Sequence, residues 1–128
     1  MPIEPTPILV VEDNLDVRTL LERVLVRLGY APTLVASGAA GLQALENARY
    51  ALLLTDLNLP DIAGGDLIRQ ARLLPYCPPI ILMSGASYDQ AERALGGESR
   101  VSLLPKPFSI AALRDILARA LTPRRLAA

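Results

Sequence analysis

The stretch "ALLLTDLNLP", residues 51 to 60, opens with four apolar residues and places Asp56 where the apolar run ends. Such a run is typical of a strand that is buried on both faces, as strands are in parallel sheets. Pro60 and Asp61 then mark a loop, so Asp56 is predicted at the carboxyl end of the strand. Ligands bind at that edge in open α/β sheets. The stretch therefore predicts a parallel sheet with a carboxylate at its ligand-binding edge.

The remaining sequence alternates short apolar runs with amphipathic stretches, and each type predicts one kind of element. Strands are predicted at residues 7–12, 32–36, 51–56, 78–84 and 100–104. Helices are predicted at residues 14–29, 37–48, 64–74, 87–95 and 109–121. We expect Ser37 and Ser109 to be N-caps and Gly96 and Gly97 to end the fourth helix. The core-facing side of the first helix is predicted to carry Leu15, Leu20, Leu21, Val24, Leu25 and Leu28.

Five strands that alternate with five helices predict an α/β fold with a parallel sheet covered on both faces. Right-handed crossovers leave few topologies, and we favour the (βα)5 flavodoxin-like, doubly wound sheet with strand order 2-1-3-4-5. The length of 128 residues suits one domain, 1–128, with a core over about residues 7–121 and short flexible tails.

Composition excludes several classes of function. Thirteen basic and thirteen acidic residues cancel, so no bulk positive field favours direct nucleic-acid binding. No apolar run approaches the ~20 residues of a membrane span, and no secretory signal is visible. The absence of His removes the usual Ser and Cys nucleophile pairs and most zinc sites. The lone Cys77 cannot form an internal disulfide, so we expect a cytoplasmic location.

Polar side chains are predicted to meet at the carboxyl edge of the sheet. Glu12 and Asp13 end the first strand, Asp56 the third and Ser84 the fourth, while Lys106, the only Lys in the chain, follows the fifth. Two carboxylates ~4 Å apart repel by roughly 4 kcal/mol at an effective dielectric of ~20, so this group needs cations. Mg²⁺ suits such oxygen ligands and also binds phosphate. The pattern predicts a phosphoryl site in which Asp56 is the acceptor.

Four segments carry a family resemblance: "VVEDN" at 10–14, "TDLNLPDIAG" at 55–64, "MSGAS" at 83–87 and "LPKPF" at 104–108. At these segments the chain resembles the receiver domain of bacterial response regulators, the CheY-like family of two-component signalling. Each motif alone is weak, but four in order at the ends of the right strands are specific. The resemblance covers nearly the whole chain.

The resemblance implies an Mg²⁺ site made by Asp13, Asp56 and the backbone carbonyl of Asn58, with Glu12 assisting through water. It implies phosphotransfer to Asp56 from a histidine kinase or a histidine phosphotransfer protein. Self-catalysed phosphorylation and dephosphorylation are implied, without conventional enzymatic turnover. Asn58 and Ala86 are implied to tune access of the hydrolysing water.

The resemblance also implies a switch that acts on a downstream protein through the face made by the fourth helix, fifth strand and fifth helix. Ser84 fits the hydroxyl residue that moves toward the phosphoryl group. The position three before Lys106 is Leu103, where the family usually has an aromatic residue that turns inward. A homodimer through the same face is a further possibility.

Other interpretations stay open at this point. Asp13 and Asn14 could simply cap the first helix, and Asp56 could be a turn residue. A degenerate receiver that acts as a phosphorylation-independent interaction module is the main alternative, and Leu103 favours it. An aspartate-nucleophile phosphatase would need an acid at Asn58, and a flavodoxin would need a phosphate-binding loop where Asp13 lies.

Overall fold

The computed structural model describes residues 4–85, 87–95 and 100–122, in which strands and helices alternate. The strands are β1 (Thr6–Val11), β2 (Tyr30–Val35), β3 (Leu52–Asp56), β4 (Ile80–Ser84) and β5 (Val101–Pro105). The helices are α1 (Leu15–Arg27), α2 (Gly38–Asn47), α3 (Gly64–Arg72), α4 (Tyr88–Leu95) and α5 (Ile110–Leu121). Gly96 and Gly97, predicted to end α4, lie outside the described residues, as do most of the two predicted tails.

The five strands form one sheet in the order β2-β1-β3-β4-β5, and every pairing is parallel. The predicted (βα)5 flavodoxin-like topology is therefore confirmed. The central register aligns Val11 with Thr55, and Asp56 with Met83. All strands point the same way, so their carboxyl ends share one edge of the sheet, as the sequence predicted.

Alternating side chains along the strands build two separate cores, one on each face of the sheet. Ile8 and Val10 of β1 face the layer of α1 and α5, while Leu9 and Val11 face the layer of α2, α3 and α4. All four are fully buried. Strands covered on both faces need apolar side chains at nearly every position, which explains the nearly continuous apolar runs in the sequence.

Helix α1 differs from the prediction in its buried face. Leu21, Val24 and Leu25 are buried and Leu28 packs against the core, but Leu15 and Leu20 are 65% and 56% exposed. The prediction was wrong for these two leucines. Each residue turns a helix by about 100°, so Leu20 lies a quarter turn away from Leu21 and only one of the two can face the sheet.

The helix starts are set by side-chain caps. Ser37 accepts a hydrogen bond from the amide of Ala40, and Ser109 accepts one from Ala112, so both predicted caps are confirmed. Asn14 caps α1 by accepting from the amide of Val17. The neighbouring Asp13 is exposed and is left available for another role.

Two helices of the second layer approach each other unusually closely. A Cβ atom added at Gly65 in α3 would lie 2.2 Å from the backbone oxygen of Ala94 in α4. The lack of a side chain at Gly65 therefore sets the distance between α3 and α4. Within the described part of the chain, no helix is both long and apolar enough to span a membrane.

Candidate functional site

Three carboxylates meet at the carboxyl edge of the sheet. Glu12 and Asp13 follow β1, which ends one residue earlier than predicted, and Asp56 is the last residue of β3. One carboxylate oxygen from each of the three lies within 4.8 Å of the others. Glu12 is fully buried, Asp56 is almost so, and Asp13 is exposed. The cluster is therefore open to solvent on the side of Asp13.

Lys106 supplies the positive charge of the cluster. Its Nζ donates hydrogen bonds to Glu12 Oε1 at 2.8 Å and to Asp56 Oδ2 at 2.9 Å. The backbone amide of Lys106 donates to the carbonyl of Ser84 at 2.7 Å, which ties the segment after β5 to the end of β4. The peptide bond between Lys106 and Pro107 is cis. The ammonium group is thus held between two carboxylates at the carboxyl ends of different strands.

Burial and the neighbouring charges shift the pKa values of Glu12 and Lys106. Burial raises the pKa of Glu12 above its usual 4.5, the neighbouring Asp56 adds to this rise, and Lys106 opposes it. Partial burial acts to lower the pKa of Lys106, but the hydrogen bonds to Glu12 and Asp56 outweigh it, so that pKa lies above 10.5. The buried Glu12 Oε2 has no hydrogen-bond partner among the described residues. One ammonium group therefore leaves this cluster with unmet negative charge.

Backbone amides of the loop after β3 hold the Asp56 side chain and the end of the strand in place. The amide of Asn58 donates to Asp56 Oδ1 at 3.3 Å, and the amide of Leu57 donates to the carbonyl of Met83 at 2.9 Å. The amide of Gly64 donates to the carbonyl of Leu57 at 2.7 Å and closes the loop. The acceptor of that bond is the carbonyl of Leu57 and not the carbonyl of Asn58.

The predicted switch residues lie on two neighbouring strands. Ser84 is buried at the end of β4, close in the chain fold to Lys106 through the backbone bond described above. Leu103 is half-buried on β5, pairs in register with Leu82 and packs against the core on the side of α4. Ala86 lies outside the described residues.

Two residues to which the sequence analysis assigned no role at the site support this edge. Arg18 of α1 donates from Nη1 to the backbone carbonyls of Glu12 at 3.0 Å and Asp13 at 3.1 Å. Asp61, in the loop after β3, binds backbone amides at the start of α2. The only sequence signals were an Arg one turn into a helix that follows two acids, and an Asp in a loop after Pro60.

Comparison with known proteins agrees with this geometry. A model of the response regulator receiver domain family matches residues 8–118. The chain belongs to this family. Receiver domains serve two-component systems and are signalling domains rather than conventional enzymes. The resemblance inferred from the four motifs is confirmed.

Curated relatives of this receiver domain include transcriptional regulators. The transcriptional regulatory protein GltR of Pseudomonas aeruginosa is 40% identical over 115 residues, which cover 88% of this chain and 46% of GltR. The transcriptional regulatory protein TctD of Salmonella typhimurium is 33% identical over 118 residues, covering 91% of this chain and 52% of TctD. The chain thus spans about half the length of these relatives.

Solved receiver domains share the whole architecture. The receiver domain of the sensor histidine kinase PA1611 from Pseudomonas aeruginosa is 33% identical with a TM-score of 0.84, covering 91% of this chain and 98% of that one. Its structure holds a magnesium ion coordinated in the active site cleft. A CheY-like receiver domain from Methylobacillus flagellatus is 31% identical with a TM-score of 0.80, at the same two coverages.

Proposed function

We propose that this receiver domain accepts a phosphoryl group on Asp56 and thereby switches protein–protein interactions in a two-component pathway. The observation that supports this most is the pairing of Lys106 with both Glu12 and Asp56, with Asp13 beside them. A cation already held on Asp56 can also pair with a phosphoryl oxygen added there. A purely structural role for these residues does not require a buried, incompletely paired carboxylate at the open edge.

The carboxylates also fit a bound Mg²⁺. Three carboxylate oxygens within 4.8 Å, together with Glu12 Oε2, which has no hydrogen-bond partner in the described part of the chain, form an oxygen-rich and negatively charged group of the kind that hard divalent cations bind. We propose that Asp13, Asp56 and the carbonyl of Asn58 would hold the ion and that Glu12 would assist through water. The ion would neutralise charge on the phosphoryl oxygens.

The chemistry assigned to the chain is nucleophilic. A carboxylate oxygen of Asp56 attacks the phosphorus of a phosphohistidine donor, the P–O bond forms as the P–N bond breaks, and the electron pair leaves with the imidazole, which then takes a proton. Lys106 pairs with the added phosphoryl group, and Ser84 donates a hydrogen bond to it. In dephosphorylation, water attacks the phosphorus and Asp56 leaves as a carboxylate.

The proposed donor is a histidine kinase or a histidine phosphotransfer protein, as the family membership suggests. Because this chain contains no His, the phosphohistidine must lie on another molecule or domain. The downstream partner binds the face made by α4, β5 and α5, and a homodimer through this face is one form that such binding can take. Leu103 is half-buried at the position where the family usually has an aromatic residue, and we propose that movement of this smaller side chain carries the signal to the face.

Intact-mass spectrometry after incubation with acetyl phosphate, with and without Mg²⁺, tests the proposal. The wild type should gain one phosphoryl group only with Mg²⁺, and Asp56→Asn should gain none. Asp115→Asn is the matched control, because it removes a carboxylate from the exposed surface of α5 and should leave phosphorylation unchanged.

No phosphoryl gain by the folded wild type, with Mg²⁺ binding also absent by calorimetry, would rule out the phosphoryl switch. That result would favour the phosphorylation-independent interaction module.

A further inference from the structure

The loop after β3 is fastened to the start of a neighbouring helix by one side chain. Asp61 Oδ1 accepts a hydrogen bond from the amide of Gly38 at 2.9 Å, and Oδ2 accepts one from the amide of Ala39 at 2.9 Å. These amides open α2 and have no partner within the helix. A carboxylate at this position also interacts favourably with the helix dipole. Asp61 therefore joins two elements that are more than twenty residues apart in the sequence.

A second contact in the same place leaves no space between the loop and the helix. A Cβ atom added at Gly38 would lie 1.9 Å from Cγ2 of Ile62, the residue that follows Asp61. The loop thus packs directly on the backbone of α2. The hydrogen bonds from Ala39 and Gly38 lower the pKa of Asp61 below its usual 3.8, so the carboxylate is charged at neutral pH.

The other end of this loop carries the phosphoacceptor site. Asn58 donates its amide to Asp56 and forms an isolated antiparallel bridge with Ala63. Gly64 approaches the loop so closely that an added Cβ would lie 2.7 Å from Cα of Leu57. The segment from Leu57 to Gly64 is therefore closed at its base, and the Asp61 contact fixes its tip.

We propose that Asp61 is a positioning residue for the phosphoacceptor site, which it orders by holding the loop that presents Asn58. The inference rests on the function proposed above, because the property that it affects is the Mg²⁺ affinity of that site. The tip of a short closed loop has few ways to move once it is held by two hydrogen bonds, so the carbonyl of Asn58 is preorganised as a ligand.

The test compares three variants of the whole chain. Asp61→Ala removes both hydrogen bonds, and Asp61→Asn keeps one acceptor oxygen. Ser37→Ala is the matched control, because Ser37 caps the same end of α2 by accepting from Ala40 and, within the described residues, its hydroxyl makes no hydrogen bond to the loop. For each protein we would measure Mg²⁺ affinity by calorimetry, thermal unfolding, and amide hydrogen exchange at Asn58 and Gly64.

Asp61→Ala should bind Mg²⁺ roughly threefold to tenfold more weakly, because the two lost hydrogen bonds stabilise the loop and only part of that stabilisation, about the equivalent of one hydrogen bond, is transmitted to the Mg²⁺ site. Exchange at Asn58 and Gly64 should be faster, and Asp61→Asn should be intermediate in both measurements. Ser37→Ala should lower thermal stability while keeping wild-type affinity and exchange in the loop. Equal losses of affinity in Asp61→Ala and Ser37→Ala would overturn the inference, because the effect would then be one of α2 stability alone.

The wild-type measurement separates the two proposals. Wild-type protein that neither binds Mg²⁺ nor accepts a phosphoryl group would refute the proposed function and with it this inference. A wild type that does both, beside an Asp61→Ala variant with unchanged affinity and loop exchange, would refute the inference alone.

Discussion

Replacing Lys106 by Met should reveal how strongly the buried acids depend on one ammonium group. Nζ lies 2.8 Å from Glu12 and 2.9 Å from Asp56, and each contact is worth about 6 kcal/mol of gross attraction at an effective dielectric of ~20. Desolvation cancels much of this attraction, and loss of one partner from a buried pair costs about 3–5 kcal/mol. The Lys106 side chain is 26% exposed, so we expect the lower value, about 3 kcal/mol.

The assay is urea unfolding followed by circular dichroism, since the chain has no Trp to report by fluorescence. The urea unfolding should be measured near neutral pH. The pKa of Lys106 is raised above 10.5, so its stabilisation is fully present below that pH and is lost as pH rises through the folded-state pKa. Added Mg²⁺ should restore part of the stability of Lys106→Met, because a bound cation offsets the same unpaired carboxylates.

A double-mutant cycle with Glu12→Gln tests the cause. If the cost comes from unpaired negative charge, Lys106→Met should cost only about 1–2 kcal/mol in the Glu12→Gln background. A Lys106→Met protein as stable as the wild type without Mg²⁺ would refute the electrostatic reasoning. So would an equal cost in both backgrounds, which would point to lost packing of the Lys stem instead.

Three further predictions concern the surroundings of the acids. Arg18→Met should reduce stability by about 1–2 kcal/mol through loss of two hydrogen bonds to backbone carbonyls, and should weaken Mg²⁺ binding measured by calorimetry. Gly65→Ala should cost about 1–3 kcal/mol in urea unfolding and speed amide exchange in α4, because its Cβ would overlap the backbone oxygen of Ala94. Mg²⁺ affinity in calorimetric titrations should fall as pH is lowered through the folded-state pKa of Glu12, which lies above 4.5, because protonation of Glu12 removes a negative charge that favours the cation.

Controls and contrary outcomes differ for the three. An Arg18→Met protein with the wild-type Mg²⁺ affinity would show that this side chain stabilises the fold but does not affect Mg²⁺ binding at the site. Gly85→Ala is the control for Gly65→Ala, since an added Cβ at Gly85 has nothing within 4 Å and should leave stability nearly unchanged. A pH dependence that is equally steep in Glu12→Gln would show that another group competes with the ion.

The fold could be predicted from the sequence because strands that are buried on both faces of the sheet have nearly continuous apolar runs. β3 is apolar from Leu52 to Leu54 and becomes polar only at Thr55 and Asp56, so both the strand and the end that carries Asp56 are visible in the sequence. The buried face of α1 could be predicted only in part. Leu20 and Leu21 are chemically equivalent, and only the packing on the sheet decides that Leu21 is the buried one.

The supporting contacts of the site escaped prediction for a different reason. Arg18 and Asp61 bind backbone carbonyls and amides, and every residue type except Pro presents the same backbone groups. The residue types at positions 38 and 39 therefore do not indicate the contact with Asp61, which lies more than twenty positions away. Side-chain patterns can indicate where charges meet, but the contacts that orient them depend on the folded backbone.

The single Lys gives this protein a property useful to the chemist. Because Lys106 is the only side-chain amine in the chain, amine-directed reagents can modify a side chain only at this site. Its two hydrogen bonds hold the ammonium protonated and partly covered, so acylation there should be slow while the pairing with Glu12 and Asp56 is intact. The labelling rate of one residue then reports whether the pairing is intact, without any engineered probe. Acetyl phosphate itself transfers acetyl groups to amines, and intact mass distinguishes that adduct from a phosphoryl group.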